Sequence, residues 1–463
     1  MKKVISFFKT DVKIINSYFL FAVIFIILIS IGYTSYALFS FTKTSNNVIE
    51  ATVGKIEKKP NAPVLASNMI PVYYDETTET WKKADLANPN NTYKWYNYNN
   101  GMWANAVTVT SSSRSKYLNA SIGTAISMND ITTMWVWIPR FNAATPSNYN
   151  GGTKTSPGAI DVTFVKSNET AIDAFTFGNK ELSGFWYAKF ETSHSTLTSS
   201  TTNNNLGCSN ERCSNANGII IKPNVKSLRY NNVSNFFFAS RSMEKSGNSF
   251  GFVSTEVDTH MSKNNEWGAV AYLTQSIYGR CTNSTNSTTC SEAGINNNSG
   301  YLTGYGAPAG SSSSVANGAY NTTLGKNAST TGTIYGIYDM NGGAVEYVMG
   351  VLADTNGKPR SGYNSSSNSG FTGMLNDGTT YTGIAFPDSK YYNLYTGSSY
   401  TGHALTETAG WYSDFAGFVF TGSSWFFRGG NYNTSALSGV FFFNNRNGDS
   451  SNISSSRPVI SNK

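Results

Sequence analysis

The sequence predicts an α+β protein made mainly of short strands and loops, and its composition and periodicity support that fold class. Charged residues make up only 13% of the 463 residues, aromatic residues reach 14%, and glycine occurs 42 times. Asparagine, serine, threonine and glycine keep such a surface polar, and these residues favour turns and strand edges over helix interiors. In the carboxy-terminal two thirds, only residues 233–243 and 264–279 place apolar side chains at helical spacing. Two short helices among many strands define an α+β domain.

The net charge does not indicate a protein that binds nucleic acid. The formal charge at pH 7 is +7, and four lysines against one aspartate before residue 41 supply +3 of it. Lysine and arginine are scattered over the rest of the chain. Nucleic-acid binding needs these residues clustered, so that they displace counterions from phosphates. We therefore expect no nucleic-acid partner.

An apolar segment near the amino terminus predicts a membrane anchor. Residues 14–42 contain no charged side chain, and residues 18–31 are almost continuously apolar. About 20 apolar residues at 1.5 Å each are enough to span the core of a bilayer. The lysines that precede this segment place residues 1–13 in the cytoplasm and the chain after residue 42 outside the cell.

A cleaved signal peptide is the alternative to an anchor. Ser35-Tyr36-Ala37 offers small residues at the spacing that a signal peptidase requires. The apolar segment is longer than the 7–15 residues of a usual signal peptide, which favours the anchor. Both alternatives predict export, either as a single-pass cell-surface protein with its carboxy-terminal part outside, or as a protein secreted after cleavage near Ala37.

A linker and a small β-module are predicted before the main domain. Residues 43–66 mix charge and proline without apolar periodicity, which is typical of a linker. Residues 67–125 contain short aromatic-rich runs separated by turn signals, among them the hairpin signal Asn99-Asn100-Gly101. We expect the aromatic residues to fill the core of this module, with sugar binding as the alternative use. These residues are Trp81, Trp95, Tyr96, Tyr98 and Trp103.

The main domain is predicted over residues 130–463 and begins with the apolar run MWVWIPRF at 134–141. A proline removes no ladder hydrogen bond at an edge or at a strand end, so this run suits either position.

The four cysteines predict two local disulfides, Cys208–Cys213 and Cys281–Cys290. Each pair lies in a loop rich in asparagine, serine and threonine. Such bonds would contribute roughly 2–3 kcal/mol each and would stabilise loops rather than create the fold. A zinc site is the alternative, but neither spacing is that of a zinc ribbon and no histidine is near. In a reducing compartment all four would be free thiols.

Five segments, taken in order, resemble the formylglycine-generating-enzyme or sulfatase-modifying-factor form of the C-type lectin fold. They are GFWYAKFETS at 184–193, KPNVKSLRYNNVSNFFFASRS at 222–242, THMSKNNEWGAVAYL at 259–273, GIYDMNGGAVEYVMG at 336–350, and RGGNY at 428–432 with Arg457-Pro458. The resemblance covers about residues 182–460 and implies a C-type lectin-like domain. An isolated charge in a core needs a partner, so we expect the motif residues to hold the fold. These are Trp267, Asp339, Glu346, Arg428, Gly429, Gly430 and Arg457.

Departures from this family predict that the chain is not an enzyme and needs no cofactor. The enzymes use two cysteines near the carboxy-terminal Arg-Gly-Gly to bind copper, and residues 431–440 contain none. Iron-dependent relatives need a set of histidines, whereas His194, His260 and His403 are isolated and are expected to be solvated or hydrogen-bonded loop residues. Calcium could occupy an Asp-rich loop, as it does in relatives, but no EF-hand-like spacing supports a specific site. We therefore predict no specific metal-binding residues in this chain.

Residues 425–460 predict a binding face, because they contain no cysteine, histidine or pair of carboxylates for chemistry. Exposed aromatic residues among small polar residues build adaptable recognition surfaces. In a strand, Phe441 and Phe443 point one way and Phe442 the other, and the sequence leaves open which side is outward. The residues expected to form this ligand face are Trp411, Tyr412, Tyr432, Asn433, Phe441, Phe443, Asn445 and Asn447.

Taken together, the sequence predicts an exported, non-enzymatic ligand-binding protein of the cell surface, such as an adhesin or receptor. Its expected partner is a protein or glycan on another cell or host surface. The chain also resembles ligand-binding C-type lectin proteins of phage tails and bacterial surfaces, including those diversified by retroelements. The alternatives are an exported metal-dependent oxidoreductase of the formylglycine-generating class and a structural envelope protein.

Overall fold

The computed structural model describes residues 49–52, 55–87, 92–198, 204–283, 288–360, 371 and 385–463. In these ranges the predicted mixed α+β composition is confirmed, with many short strands, long loops and few helices. The predicted cytoplasmic tail, residues 1–13, and the predicted anchor or signal peptide, residues 14–42, lie outside the described residues. Within the described ranges, no helix has the length and apolar character needed to cross a bilayer.

The strands are, in chain order, β1 (Ile49–Thr52), β2 (Lys55–Lys58), β3 (Ile70–Asp75), β4 (Thr80–Lys83), β5 (Asn105–Val109), β6 (Ile131–Pro139), β7 (Phe141–Ala143), β8 (Val162–Phe164), β9 (Thr176–Phe177), β10 (Lys180–Glu181), β11 (Gly184–Ala188), β12 (Ser193–His194), β13 (Ile219–Ile220), β14 (Val257–Met261), β15 (Cys281–Asn283), β16 (Thr288–Cys290), β17 (Val345–Leu352), β18 (Asn393–Tyr395), β19 (Trp425–Arg428), β20 (Phe443–Arg446), β21 (Ser454–Ser456) and β22 (Pro458–Asn462).

The α-helices are α1 (Ser111–Leu118), α2 (Val233–Ser242), α3 (Asn264–Thr274) and α4 (Thr323–Asn327). Short 3-10 helices cover Tyr98–Asn100, Asn148–Gly151, Asp173–Phe175, Ser214–Gly218, Ser389–Tyr391, Thr406–Thr408, Trp411–Ser413 and Ser435–Leu437.

A seven-stranded antiparallel sheet forms the centre of the fold, in the order β14-β22-β11-β6-β5-β3-β4. Eight of the nine residues of β6 are buried, because β11 and β5 flank it and both of its faces are covered. Pro139 is the last residue of β6 and lies opposite Gly184 of β11. The proline therefore occupies a strand end inside the sheet, which is one of the two positions that its sequence suited.

The segment predicted as a separate β-module contributes β3, β4 and β5 to this same sheet. Asn105 of β5 pairs with Val136 of β6, and the ring of Trp95 stacks on that of Trp186 at 6.0 Å. Trp81, Trp95, Tyr98 and Trp103 are buried in the shared core. Hydrogen bonding is therefore continuous across the boundary predicted between residues 125 and 130, and residues 48–463 cluster as one unit.

The end of the predicted linker also packs on the sheet. Ala62, Leu65 and Ala66 are buried, and Trp186 Nε1 donates a hydrogen bond to the Val64 carbonyl at 2.8 Å. Residues 59–66 thus belong to the folded unit, because their apolar side chains find cover against it.

The two helices predicted from periodicity are α2 and α3. Asn232 caps α2 by accepting a hydrogen bond from Asn235 N at 2.9 Å. Glu266 Oε2 accepts from Lys263 N at 2.8 Å at the start of α3. This helix ends at Thr274, five residues before the end of the predicted segment, because the chain turns there and Arg280 N bonds to the Thr274 carbonyl.

A second sheet is built around β17 and carries the carboxy-terminal segment. β19 pairs antiparallel with β17 and with β20, and β18 and β21 run parallel to β17. β22 returns to the central sheet, where it lies between β11 and β14. The residues between β19 and β20 therefore form a loop that connects two neighbouring strands of this second sheet.

Both predicted disulfides are present. Cys208 is bonded to Cys213, and Cys281 is bonded to Cys290. The second bond joins directly opposed residues of the β15–β16 hairpin. Each bond closes a local loop, and no free cysteine occurs among the described residues.

Candidate functional site

The loop that joins β19 to β20 begins at two glycines with left-handed backbone. Gly429 has φ of 85° and Gly430 has φ of 71°. A Cβ atom on Gly430 would lie 2.4 Å from Ser438 Oγ, so a side chain has no room there. Ser438 Oγ donates to the Gly429 carbonyl at 2.6 Å. The Arg-Gly-Gly motif therefore starts a tight loop that is closed across its neck.

Arg428 holds this loop to the protein interior. Its guanidinium is buried and donates to Asn264 Oδ1 at 2.9 Å, to the His403 carbonyl at 3.2 Å and to the Ala404 carbonyl at 2.7 Å. Burial lowers the pKa of Arg428 to about 10, while nearby Tyr395 opposes the shift. The Nη1 and Nη2 groups of Arg428 are therefore occupied by hydrogen bonds within the fold.

Trp267 packs beneath the same loop. Its ring centre lies 5.6 Å from the Arg428 guanidinium carbon, and its Nε1 donates to the Val440 carbonyl at 2.9 Å. Both ends of the β19–β20 loop are thus fastened to α3.

A buried ion pair connects Glu346 of β17 to Arg457, the residue between β21 and β22. Arg457 Nε donates to the two carboxylate oxygens of Glu346 at 2.9 and 2.8 Å, and Arg457 Nη1 donates to the Ala188 carbonyl at 3.2 Å. Both side chains are enclosed. Although burial acts in the opposite direction, Glu346 raises the pKa of Arg457 above its ordinary value.

Asp339 and Glu191 form hydrogen bonds in the interior beside this pair. Asp339 has φ of 61° and accepts from Asn296 Nδ2 at 2.8 Å and from Gly304 N at 2.9 Å. Glu191 accepts from Ala344 N at 2.8 Å and from the Ser227 hydroxyl. Burial raises the pKa of both carboxyl groups. These buried carboxylates therefore hold the surrounding loops in place by hydrogen bonds.

Three residues predicted to form the exposed ligand face are buried instead. Trp411, Phe441 and Phe443 are each 2% exposed. The ring centre of Phe441 lies 5.1 Å from that of Trp411, and the ring centre of Phe443 lies 6.4 Å from that of Phe426. The prediction of an exposed position is therefore wrong for these three residues.

The physical reason is that residues 439–442 form a turn, and strand alternation begins only at Phe443. Each of the three phenylalanines packs against different aromatic neighbours. Phe442 packs between Phe415 and Phe427, with ring centres 6.0 and 6.1 Å away.

The other predicted face residues are partly or fully accessible. Tyr412 is half-buried and donates to Gln275 Oε1 at 3.1 Å, and Tyr432 is half-buried with its ring 4.9 Å from that of Tyr301. Asn433 is exposed, whereas Asn445 is intermediate and donates from Nδ2 to the Phe418 carbonyl at 2.9 Å. Asn447 is also intermediate and accepts from Asp449 N at 3.4 Å. The structure therefore does not bring all eight residues into one exposed surface.

A different pair of apolar residues is exposed at this site. Phe415 is 41% exposed and Leu437 is 49% exposed, and Phe415 N donates to the Leu437 carbonyl at 3.0 Å. Ala416 and Ala436, their chain neighbours, are exposed too. We call these four residues the C-terminal apolar patch. Phe420, in the same loop as Phe415, is 56% exposed.

The patch was not predicted from the sequence, because the prediction placed the exposed surface on the most aromatic run nearby, Phe441 to Phe443. The available signal was one large apolar residue beside an alanine, with turn-forming residues on either side, as in SDFAG at 413–417 and SALSG at 435–439. Such isolated apolar residues have few neighbours along the chain that can cover them.

The three histidines are hydrogen-bonded in the interior. His403 contacts Tyr395 Oη at 2.6 Å and Asp173 Oδ2 at 2.7 Å, and His194 contacts the Asn215 carbonyl at 2.8 Å. His194 lies in β12 and His260 in β14, so the prediction of a loop position is wrong for both. His260 contacts Glu266 Oε1 at 2.9 Å. Across the part of the chain that the structure describes, no three or more His, Cys, Asp or Glu side chains are grouped to hold a metal ion.

Comparisons with known proteins assign no family to the chain. No protein-family model matches it, and no curated protein matches it.

Proposed function

We propose that the protein is an exported ligand-binding protein of the cell surface, with a C-type lectin-like domain that binds its partner without transforming it. The fold assignment is supported by the order of the five motifs and by the return of β22 to a place between β11 and β14. Support for binding comes from the loops around β19 and β20, which rest on a buried aromatic layer and carry exposed apolar side chains.

The observation that carries this proposal is the C-terminal apolar patch. Phe415 is exposed, yet its main chain is bonded to Leu437 and Phe443, and its ring packs against Phe442. An apolar side chain held in place by buried neighbours loses little conformational entropy on binding. Rigid aromatic anchors of this kind contribute most of the energy in many interfaces. The patch favours a protein partner, and a glycan is the alternative.

Replacing the two anchors by serine tests the proposal. We expect Phe415→Ser with Leu437→Ser to weaken binding of the labelled full chain to intact cells by at least tenfold, because truncating an interface anchor commonly costs about 1–2 kcal/mol or more. Cell binding by flow cytometry is the measurement. The matched control is Val253→Ser with Ile277→Ser, which alters two side chains that are 39% and 41% exposed elsewhere.

The control variant should bind as the unmodified chain does. Equal binding by both variants and the unmodified chain, with unchanged melting temperatures, would show that the patch is not the binding surface.

A further inference from the structure

The C-terminal apolar patch belongs to a larger group of loops that contain no charged side chain. Three segments form this group: residues 308–319, 415–423 and 431–437. Apart from Val419, every residue in them is exposed or half-buried. Although 13% of the residues of the chain are charged, none of the residues in these segments is. We call the three segments the neutral loop surface.

Contacts join the third segment to each of the other two. Phe415 N, in the second segment, donates to the Leu437 carbonyl at 3.0 Å. In the first segment, a Cβ atom on Gly310 would lie 3.7 Å from Ala436 Cα, which is van der Waals distance. The three segments are therefore neighbours in the fold, with the C-terminal apolar patch where the second and third meet.

The first segment is held by a buried amide. Asn297 Nδ2 donates to the carbonyls of Ser312 and Val315, both at 2.7 Å, and the Asn297 side chain is enclosed. The side chain of Val315 is 41% exposed. An apolar side chain on a fixed backbone loses little conformational entropy when it binds. Val315 therefore resembles Phe415, whose backbone is also held by hydrogen bonds.

The charged residues that flank the segments along the chain are enclosed or paired. Asp414 and Arg428, on either side of the second segment, are buried. Arg446, which follows the third segment, forms an ion pair at 3.1 Å. On either side of the first segment, Glu292 is half-buried and Lys326 forms an ion pair at 2.6 Å. The flanking residues thus add little charge to these loops.

This composition matches the core of a protein interface. Such cores are apolar and depleted of charged residues. A charge on the partner would lose its water here without gaining an opposite charge. A glycan matches less well, because burying its hydroxyl groups also removes water, and Phe415, Leu437 and Val315 offer no side-chain hydrogen bonds in return.

The size of the surface also suits a protein partner. The segments contain 12, 9 and 7 residues. An interface of standard size uses about 20–30 residues on each side.

We propose that the neutral loop surface docks on an uncharged, apolar surface of a protein partner. This inference rests on the proposed function and adds the chemistry of the partner to it. Affinity then comes from apolar contact and depends little on salt, because salt screens interactions between charges.

A charge of either sign at Ala436 tests this chemistry. Ala436 is exposed, so Ala436→Glu and Ala436→Lys keep the core intact, and Ala436→Gln is the uncharged reference of similar size. Flow cytometry measures binding of the labelled full chain to intact cells, and the part that Phe415→Ser with Leu437→Ser removes is the patch-dependent binding. We expect both charged variants to bind at least about tenfold more weakly than the glutamine variant, because an unpaired charge is costly to bury.

The matched controls are Val253→Glu and Val253→Lys, which introduce the same charges at a side chain that is 39% exposed outside the neutral loop surface. They should bind within about twofold of the unmodified chain. They also correct for any attraction between the net charge of the chain and the cell surface.

Three treatments then identify the class of partner. Raising the NaCl concentration from about 0.05 to about 0.5 M should change the patch-dependent binding by less than about threefold, since screening weakens only charge interactions. Digestion of the cell-surface proteins with a protease should remove this binding. Oxidation of the cell-surface glycans with periodate should leave it.

The proposal is overturned if Ala436→Glu and Ala436→Lys change the affinity in opposite directions relative to Ala436→Gln, or if neither weakens it. It is also overturned if the higher salt concentration lowers the patch-dependent binding by about tenfold or more. Loss of binding after periodate but not after protease would identify a glycan instead. Self-association of the purified full chain that Phe415→Ser with Leu437→Ser abolishes would identify a second copy of the chain as the partner.

These outcomes are distinct from failure of the proposed function. If Phe415→Ser with Leu437→Ser still lowers cell binding, the C-terminal apolar patch remains the binding surface and only the assignment of its partner falls. If that variant binds as the unmodified chain does, the proposed function itself is wrong.

Discussion

At the scale of single residues, Gly430 is required for two reasons, its left-handed backbone and the lack of room for a Cβ atom. Its φ of 71° is unfavourable for any residue with a Cβ atom, and that atom would lie 2.4 Å from Ser438 Oγ. Gly357 has almost the same φ, 72°, but a Cβ atom there would meet nothing within 4 Å. The two positions therefore share the backbone effect and differ in the steric one.

We predict that Gly430→Ala lowers the free energy of unfolding by about 2–4 kcal/mol, from backbone strain and overpacking together. Gly357→Ala should lower it by only about 1 kcal/mol, from backbone strain alone. Chemical denaturation of both variants measures the difference. Equal losses would mean that the neck of the β19–β20 loop is not tightly closed.

Glu292 gives stability a dependence on pH. Burial raises the pKa of its carboxyl to about 7, against the opposing effect of Arg280, and Oε1 has no hydrogen-bond partner. Asp414, whose pKa is also raised by burial and by Glu292, lies nearby. Because the folded protein binds the Glu292 proton more tightly than the unfolded chain does, this contribution is present below about pH 4.5 and is lost as the pH rises to about 7.

We therefore predict that Glu292→Gln changes stability little at pH 4.5 and raises it by about 1–2 kcal/mol at pH 8. Thermal unfolding across this pH range is the measurement, and Glu79→Gln, which alters an exposed carboxylate, is the control. An unchanged pH profile in the Glu292 variant would contradict the assignment.

For single residues, the sequence identified the charged groups that need a partner, but it did not predict which aromatic side chains are buried. Isolated charges such as Arg428, Glu346 and Arg457 were expected to need partners, and each has them in the interior. Exposure was harder to predict, because the cover of Phe441 comes from Trp411, thirty positions earlier in the chain. Strand alternation could not decide its direction, since its backbone is in a turn.

At the scale of secondary-structure elements, local patterns identified α2 and α3 because their apolar spacing and first-turn hydrogen bonds are encoded within a few residues. Helix α1 was missed because Tyr117 is its only buried residue, so it has no apolar stripe. The pairing of β5 with β6 was also missed. Strand partners are set by contacts distant in sequence, and the turn signals between residues 109 and 131 resemble a domain boundary.

The hairpin β15–β16 depends on its disulfide more than on packing. Thr282, Asn283, Thr288 and Thr289 are exposed, whereas Cys281 is buried and pairs with Cys290. Closing a loop of this length contributes roughly 2–3 kcal/mol, mainly through the unfolded chain. We predict that Cys281→Ser with Cys290→Ser lowers the melting temperature by a few degrees. The circular dichroism spectrum at room temperature should keep its shape, because the fold itself remains.

Cys208→Ser with Cys213→Ser provides the comparison, since it removes the other loop-closing bond. A complete loss of folded signal in the Cys281 and Cys290 variant would show that this bond is needed to form the fold.

At the scale of the whole molecule, the described unit carries the C-terminal apolar patch on a scaffold that contains two large sheets. β22 brings the end of the chain between β11 and β14, so the carboxy-terminal loops rest on strands formed much earlier in the sequence. No local pattern could reveal the patch, because Phe415 and Leu437 are twenty-two positions apart in the chain and are joined by a main-chain hydrogen bond only in the fold.

The central claim is that a rigid scaffold binds a partner through the C-terminal apolar patch. Hydroxyl-radical footprinting of the full chain, free and bound to cells, tests it most directly. The account predicts that Phe415 and Leu437 become protected on binding while Val253 and Ile277 react as before. Continued reactivity of Phe415 and Leu437 in the bound protein would contradict it.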